Sequence, residues 1–203
     1  MKKKIILIGG GGHCKSCVDV IEQEGKYKIA GVVDVEEKLN QKIFEYKITA
    51  TDYDLPDLVK KYCYFFIAIG QIKSPDRRIK LFEHLKNLGA KFPVIISPHA
   101  YISKYAEIGE GTIVMHHALI NAGAKIGSNC IINNKALIEH DAIIGNHCHI
   151  ATNAVINGGV KVGYGTFFGS NAVSKEYIEI GENSVIGCGA KIIKDVPSNS
   201  SEI

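Results

Sequence analysis

The chain has 203 residues, enough for one large domain or two small ones. Hydrophobic residues make up 46%, which excludes a disordered chain. The net charge of +3 is small and its charges are interspersed, which argues against a nucleic-acid or acidic-membrane partner.

The start, "MKKKIILIGGGGH", has the basic opening of a signal peptide, but its apolar run covers only Ile5 to Ile8. That is shorter than the ~7–15 residues such a segment needs. No stretch approaches the ~18 apolar residues of a membrane span. The expectation is a cytoplasmic protein whose six cysteines stay reduced. Cys14 and Cys17 form a C-x-x-C, but no second pair completes a zinc set, so they read as ordinary helix residues and no metal is expected.

Residues 1–95 alternate between strand and helix. Ile5 to Ile8 form a short strand, Gly9 to Gly12 a tight loop, and Val18 and Ile21 lie at helical spacing. "KIAGVVDV" is a second strand ending near Asp34, and "YFFIAIG" a third. "SPDRRIKLFEHLKNLG" is a helix with Pro75 near its start. The alternation predicts a small Rossmann-like α/β unit with a parallel sheet.

The glycine loop brings backbone N–H groups and a helix N-terminus to one place, which suits phosphate. The dinucleotide fingerprint G-x-G-x-x-G is not met, because Cys14 stands at the third position. Asp34 lies 25 residues after Gly9, a fitting distance for a ribose-binding acid. The unit is too short for a full NAD domain. A plain structural turn and a nucleotide-linked sugar site remain, and the second is favoured.

Residues 96–203 carry a repeat. Stepping by six from Ile102 through Ile138, Ile144 and Ile150 to Ile192 meets a large apolar residue at fifteen of sixteen positions, Ser174 being the exception. Four residues further on, small or β-branched residues recur, Cys130 and Cys148 among them. A period of six fits neither helix nor simple strand; it fits a hexapeptide β-helix, with one short strand and turn per unit. Gly and Asn supply the left-handed turn angles. Ser174 is expected to mark a loop or outward bulge.

Residues 102–196 resemble the hexapeptide-repeat acyltransferases. That resemblance implies a left-handed β-helix, three units to a coil, and a homotrimer with acyl-CoA sites between subunits. "IILIGGGGHCKSCVDVIE", "IAGVVDV" and "FFIAIG" resemble the first domain of the bacterial acetyltransferases of UDP-4-amino sugars (the bacillosamine type) and of sialic acid O-acetyltransferases. This implies that Gly9, Gly10, Gly11, Gly12, His13, Asp34 and Gly70 hold a sugar nucleotide. Two features depart from those relatives: Val35 stands where many have a second acid, and the loop "GQIKSPDRR" is longer, which leaves open whether Arg77 or Arg78 faces the ligand. The end, "KDVPSNSSEI", lacks the Gly-Asn-Pro-Ala motif that relatives carry near CoA.

Acetyl transfer to an amine or hydroxyl calls for a base near neutrality, for which histidine is the usual choice. None of the repeat histidines falls in an interior slot, so all are expected on the outside or at corners, free of a burial cost. "IEHDAIIG" matches the family's general base, implying His140 as base and Asp141 as its orienting acid. Neighbours on a flat strand face opposite ways, so the pair requires a bend. The resemblance further implies His149, Asn133, Ala151 and Gly158 at acetyl-CoA, and His13 at the sugar. With 18 residues per coil, His140 and His149 lie half a circuit apart, so joint service requires two subunits. His116, His117 and His147 read as surface or interface residues, and His84 and His99 as surface.

The expected function is acetyl-CoA-dependent N-acetylation of a nucleotide-linked 4-amino-4,6-dideoxy sugar in bacterial glycan synthesis. The alternatives are O-acetylation of sialic acid or a related nonulosonate, and a non-catalytic sugar-nucleotide-binding protein. No nucleic acid or membrane partner is expected.

Overall fold

A computed structural model describes residues 2–202. Strand β1 (Lys3–Ile8) lies between β2 (Tyr27–Val33) and a strand at Tyr64–Ile67, both parallel to it. Two strands absent from the sequence reading, β3 (Lys42–Ile43) and β4 (Tyr46–Ala50), extend the edge, with β3 antiparallel. The Tyr64–Ile67 strand is β5, and the sheet order is β3-β4-β2-β1-β5. Helices α1 (Gly12–Glu24), α2 (Leu55–Lys61) and α3 (Asp76–Asn87) complete the unit. β1 and β5 are apolar because both faces of the sheet are covered, by α1 on one side and α3 on the other.

From Ile95 onward the chain winds as a left-handed β-helix of two-residue strands. Up to Ile192 each strand pairs in register with the strand 18 residues on, as Leu137 with Val155 and Ile138 with Ile156; the last coil is shorter, with Val185 opposite Ser201. Three parallel faces result. Ile113–Val114, Ile131–Ile132, His149–Ile150 and Phe167–Phe168 belong to the first; Leu119–Ile120, Leu137–Ile138 and Val155–Ile156 to the second; Lys125–Ile126, Ile143–Ile144 and Lys161–Val162 to the third. The residue at every sixth position fills the interior, and the small residues Ala136, Ala142, Cys148 and Ala154 close the corners. A fully buried aliphatic side chain contributes roughly 1.5–3 kcal/mol, so the interior column sustains the stack.

One turn position in each unit is left-handed, from Gly111 (φ 70) to Gly189 (φ 73). Four of these fourteen positions are Asn and five are Gly, but His117, Asp141 and His147 also take it, at φ 59, 59 and 61. The acid and two of the histidines are therefore corner residues, clear of the apolar interior.

Ser174 forms no loop. Val173–Ser174 stays a strand, and Ser174 is buried in the interior slot. Its hydroxyl accepts the Asn157 N–H (3.0 Å), while the Asn157 amide donates to the Ser174 carbonyl (2.7 Å). A small polar side chain is tolerated inside because a neighbouring turn meets its hydrogen bonds.

The three faces differ outwardly. The first is covered by the α/β unit: Ile113, Met115 and Ile131 share a core with Cys17, Val18 and Val20 of α1. The third is a charged ladder in which Lys125 meets Glu107 (3.4 Å) and Lys161 meets Glu179 (2.6 Å). The second presents Leu119, Leu137, Val155 and Val173, each half-buried, with the exposed Tyr101. Among the described residues no helix is long and apolar enough to cross a membrane.

Candidate active site

The first half of the site is a cleft of about 270 Å³ lined by Gly9 to His13, Asp34, Lys38, Gly70 and Arg77. It lies at the C-terminal ends of β1, β2 and β5, where open parallel sheets hold ligands. Gly9 is confined to glycine: its φ is +99, and a Cβ there would run into the Ile69 side chain. Gly11 and Gly12 differ, since a Cβ on either would meet nothing within 4 Å. They line open space before the N-terminus of α1, which no side chain caps. Free N–H groups and the helix dipole converge there, as a phosphate requires.

Asp34 is bound within the wall of this cleft. Its carboxylate accepts the Gly10 N–H (2.7 Å), the Val35 N–H (2.8 Å) and Lys38 (2.9 Å). Burial alone would raise its pKa, but Lys38 and the two N–H groups hold it below the ordinary carboxylate value. Of the two arginines left open by the sequence, Arg77 lines the cleft. Arg78 is 2% exposed and points into the seam between the α/β unit and the β-helix.

His13 closes the inner end. Its Nε2 is buried and has no hydrogen-bond partner among the described residues. Burial, with His149 and Arg78 adding to it, pushes its pKa down to about 3, so the ring is neutral. The His149 ring lies 6.4 Å away, centroid to centroid.

His149 and His147 overturn the expectation that the repeat histidines escape burial. Both side chains leave the β-helix outward, yet His149 is 7% and His147 4% exposed. The α/β unit covers the face and corner from which they project. His149 Nδ1 donates to the Gln71 carbonyl (2.7 Å), and its Nε2 accepts from Asn133 (3.2 Å). His147 Nδ1 accepts from Asn129 (2.9 Å), with its ring edge-on to Phe82 and Tyr164. Burial is the main reason both pKa values fall to about 4; for His149 the Gln71 bond opposes it. His116 joins Ser97 (2.7 Å) to Asp19 of α1 (2.9 Å), whereas His117, His84 and His99 are exposed.

The second half of the site lies elsewhere on the prism. His140 and Asp141 occupy the corner between the second and third faces, and both are exposed. The left-handed Asp141 supplies the bend that the pair requires. His140 Nδ1 then sits 2.9 Å from Asp141 Oδ2. A carboxylate beside Nδ1 favours the tautomer with its proton there, leaving Nε2 as the acceptor. The imidazole lies against the next coil: a Cβ on Gly158 would fall 2.6 Å from His140 Nε2. Gly158 is thus the space in which the ring rests. Its N–H makes no hydrogen bond among the described residues, so one acceptor and one donor lie together.

Asn133 and Ala151 stand at the other edge of the second face, at its corner with the first. Within one chain, His149, Asn133, Ala151 and the glycine cleft form one group, and His140, Asp141 and Gly158 a second. Gln71, Lys38 and the packing role of Arg78 escaped sequence reasoning. For Arg78 a signal existed: it shares the helical spacing of Leu81, Phe82 and Leu85, the apolar face of α3. Cys14 and Cys17 are buried, which drives the Cys14 pKa up to about 12 and that of Cys17 well above its ordinary value; both are inert thiols. No cluster of three or more His, Cys, Asp or Glu among the described residues is arranged to hold a metal.

Comparison with known proteins gives consistent matches. The PglD N-terminal domain family matches residues 4–85, and the bacterial transferase hexapeptide (six repeats) family matches residues 105–140 and 123–158. A UDP-N-acetylbacillosamine N-acetyltransferase from Bacillus subtilis is 33% identical over 119 residues, 56% of this chain and 51% of its own. The match thus spans about half the length of that relative. PerB from Caulobacter crescentus, solved with CoA and GDP-perosamine, is 30% identical, with a TM-score of 0.91 covering 98% of this chain and 92% of its own. The acetyltransferase domain of PglB from Neisseria gonorrhoeae, solved with acetyl coenzyme A, is 27% identical, with a TM-score of 0.90 covering 99% and 96%.

Proposed function

The chain belongs to the hexapeptide-repeat sugar acetyltransferases, and on that premise we propose that it moves the acetyl group of acetyl-CoA onto the 4-amino group of a nucleotide-linked 4,6-dideoxy sugar. The setting is bacterial glycan synthesis in the cytoplasm. Residues 1–95 hold the sugar nucleotide and residues 96–203 carry out the transfer.

One observation carries this reading: an Asp141-oriented imidazole rests on Gly158 with its Nε2 bare and a free N–H beside it. The sugar amine attacks the thioester carbonyl, and His140 Nε2 takes the proton that the amine loses. The Gly158 N–H donates to the carbonyl oxygen as charge develops. Collapse of the tetrahedral intermediate expels the CoA thiolate, which then takes a proton. No acyl-enzyme is needed. The free N–H groups of the glycine loop take the diphosphate, with Lys38 and Arg77 as the cations of that cleft. His13 Nε2, buried with no partner among the described residues, faces the sugar.

The half-circuit between His140 and His149 makes the site a product of two copies. We assign the apolar second face to self-association, as a homotrimer. With three second faces turned inward, the corner bearing His140 meets the neighbour's corner bearing Asn133 and Ala151. Acetyl-CoA lies in that seam against Asn133, His149, Ala151 and Gly158.

A thiol-release assay tests the reading, with acetyl-CoA against a panel of UDP-, GDP- and CMP-linked amino sugars and free nonulosonic acids. Discharge by a nucleotide-linked 4-amino sugar is expected. Discharge only by a nonulosonic acid would replace N- with O-acetylation, and no discharge by any acceptor would end the enzyme reading.

A further inference from the structure

The loop from Gln71 to Pro75 joins the sugar-nucleotide cleft to the β-helix through a buried clamp. The Arg78 guanidinium donates to Gln71 Oε1 (2.8 Å), to the Asn129 carbonyl (2.6 Å) and to Asn129 Oδ1 (3.2 Å). Gln71 Nε2 donates to the Gly165 carbonyl (2.8 Å). The orientation of the Gln71 amide is therefore unambiguous, since guanidinium only donates and carbonyl only accepts. Among the described residues Arg78 meets no carboxylate within ion-pair distance. A buried cation without an anion is costly; here its two terminal nitrogens are met by oxygens of one side chain and one turn, while its Nε has no partner among the described residues. A planar fork reaches both; an ammonium does not.

This clamp ends on His149. The Gln71 carbonyl has no hydrogen to give, so the proton lies on His149 Nδ1 and, in a neutral ring, Nε2 carries none. Asn133 agrees: its Oδ1 accepts the Asn134 N–H (2.8 Å), which turns its Nδ2 toward His149 Nε2. We propose that Gln71 and Arg78 are positioning residues whose clamp fixes His149 as the neutral Nδ1–H tautomer, making its Nε2 the hydrogen-bond acceptor that holds Asn133 in place at the acetyl-CoA end of the site. The assignment rests on the placing of His149 beside acetyl-CoA given above. It makes the loop that borders the sugar nucleotide also set the polarity of the acyl-donor site, and it removes His149 from the role of proton donor to the thioester oxygen.

The test is nitrogen-15 spectroscopy of histidine-labelled full-length protein, with the His149 signals identified by difference from His149→Gln, alongside separate KM values for the two substrates. Native protein is expected to show protonated Nδ1 and unprotonated Nε2. Gln71→Ala and Arg78→Met should each give mixed tautomers and raise the acetyl-CoA KM about tenfold, the scale of one lost hydrogen bond, leaving the sugar-nucleotide KM nearly unchanged. Arg78→Lys keeps the charge without the fork and should not restore the native signal. Gln71→Glu keeps an acceptor for Arg78 and should restore it largely. If Arg78→Met does not fold, Gln71→Ala decides alone. A protonated Nε2 in the native protein overturns the proposal, as does an unchanged tautomer with unchanged acetyl-CoA KM in the folded variants. Mixed tautomers in Gln71→Ala of a protein that turns over no acetyl-CoA would uphold the clamp and refute the acetyltransferase reading.

Discussion

His140 has two neighbours that define it, one along the chain and one across the coil. Asp141 fixes the proton on Nδ1, and Gly158 leaves room for the ring. Replacing His140 by Ala should lower turnover at least ~100-fold, the lower end of what a positioned base supplies; near-native turnover would remove it from the role. The buried histidines act on stability instead. His13 is held to a pKa of about 3, and His147 and His149 to about 4, chiefly by burial. In the unfolded chain each titrates near 6.5. Between roughly 6.5 and 4 the unfolded state therefore binds more protons, and stability is lost as pH falls through that window. The melting temperature should drop steadily from about pH 7 to about pH 4.5. A flat profile would show that these rings are not buried neutral.

The decisive element is the six-residue turn. Its left-handed position accepts Asn and Gly readily and other residues at a cost. Where Asp141 occupies it, the side chain swings beside its predecessor, which a straight strand forbids. Stacking then places Gly158 one coil further on beneath the imidazole. Gly158 has no left-handed backbone, so Gly158→Ala should fold with little change in melting temperature. The added Cβ should still displace His140, and a misplacement of about 1 Å can cost about 100-fold in rate. Full turnover by the Gly158→Ala enzyme would show that the ring does not rest there during reaction.

At the scale of the molecule, three outer faces have three fates: the first is covered by the α/β unit, the third is solvated by ion pairs, and the second is apolar. Leu137→Arg on the second face should give folded but inactive monomers, detected by sedimentation together with circular dichroism. Complementation is the sharper test. His140→Ala and a His13→Ala variant, each weak alone, should regain activity when mixed and reassembled, because mixed seams pair an intact corner with an intact cleft. No gain on mixing would place the whole site within one chain.

The period of six is legible because an unbranched stack repeats its interior environment every sixth residue, so the β-helix could be read from Ile102 to Ile192 without long-range information. The glycine loop could be read for a similar reason, since Gly9 answers to a local backbone angle and its neighbours to a helix end. Other features required the folded chain. The burial of His147 and His149 comes from packing of the α/β unit on the first face, and nothing near them in sequence records that cover. The split between Arg77 in the cleft and Arg78 in the seam depends on the roll of α3 against the β-helix. Sequence by itself thus determined the repeat, the loop and which imidazoles lie outside the prism, because these follow from local periodicity and backbone angles. Tertiary structure alone decided which of those imidazoles are dry, which carbonyl orients His149 and which glycine lies under His140, because each depends on surfaces brought together from distant parts of the chain.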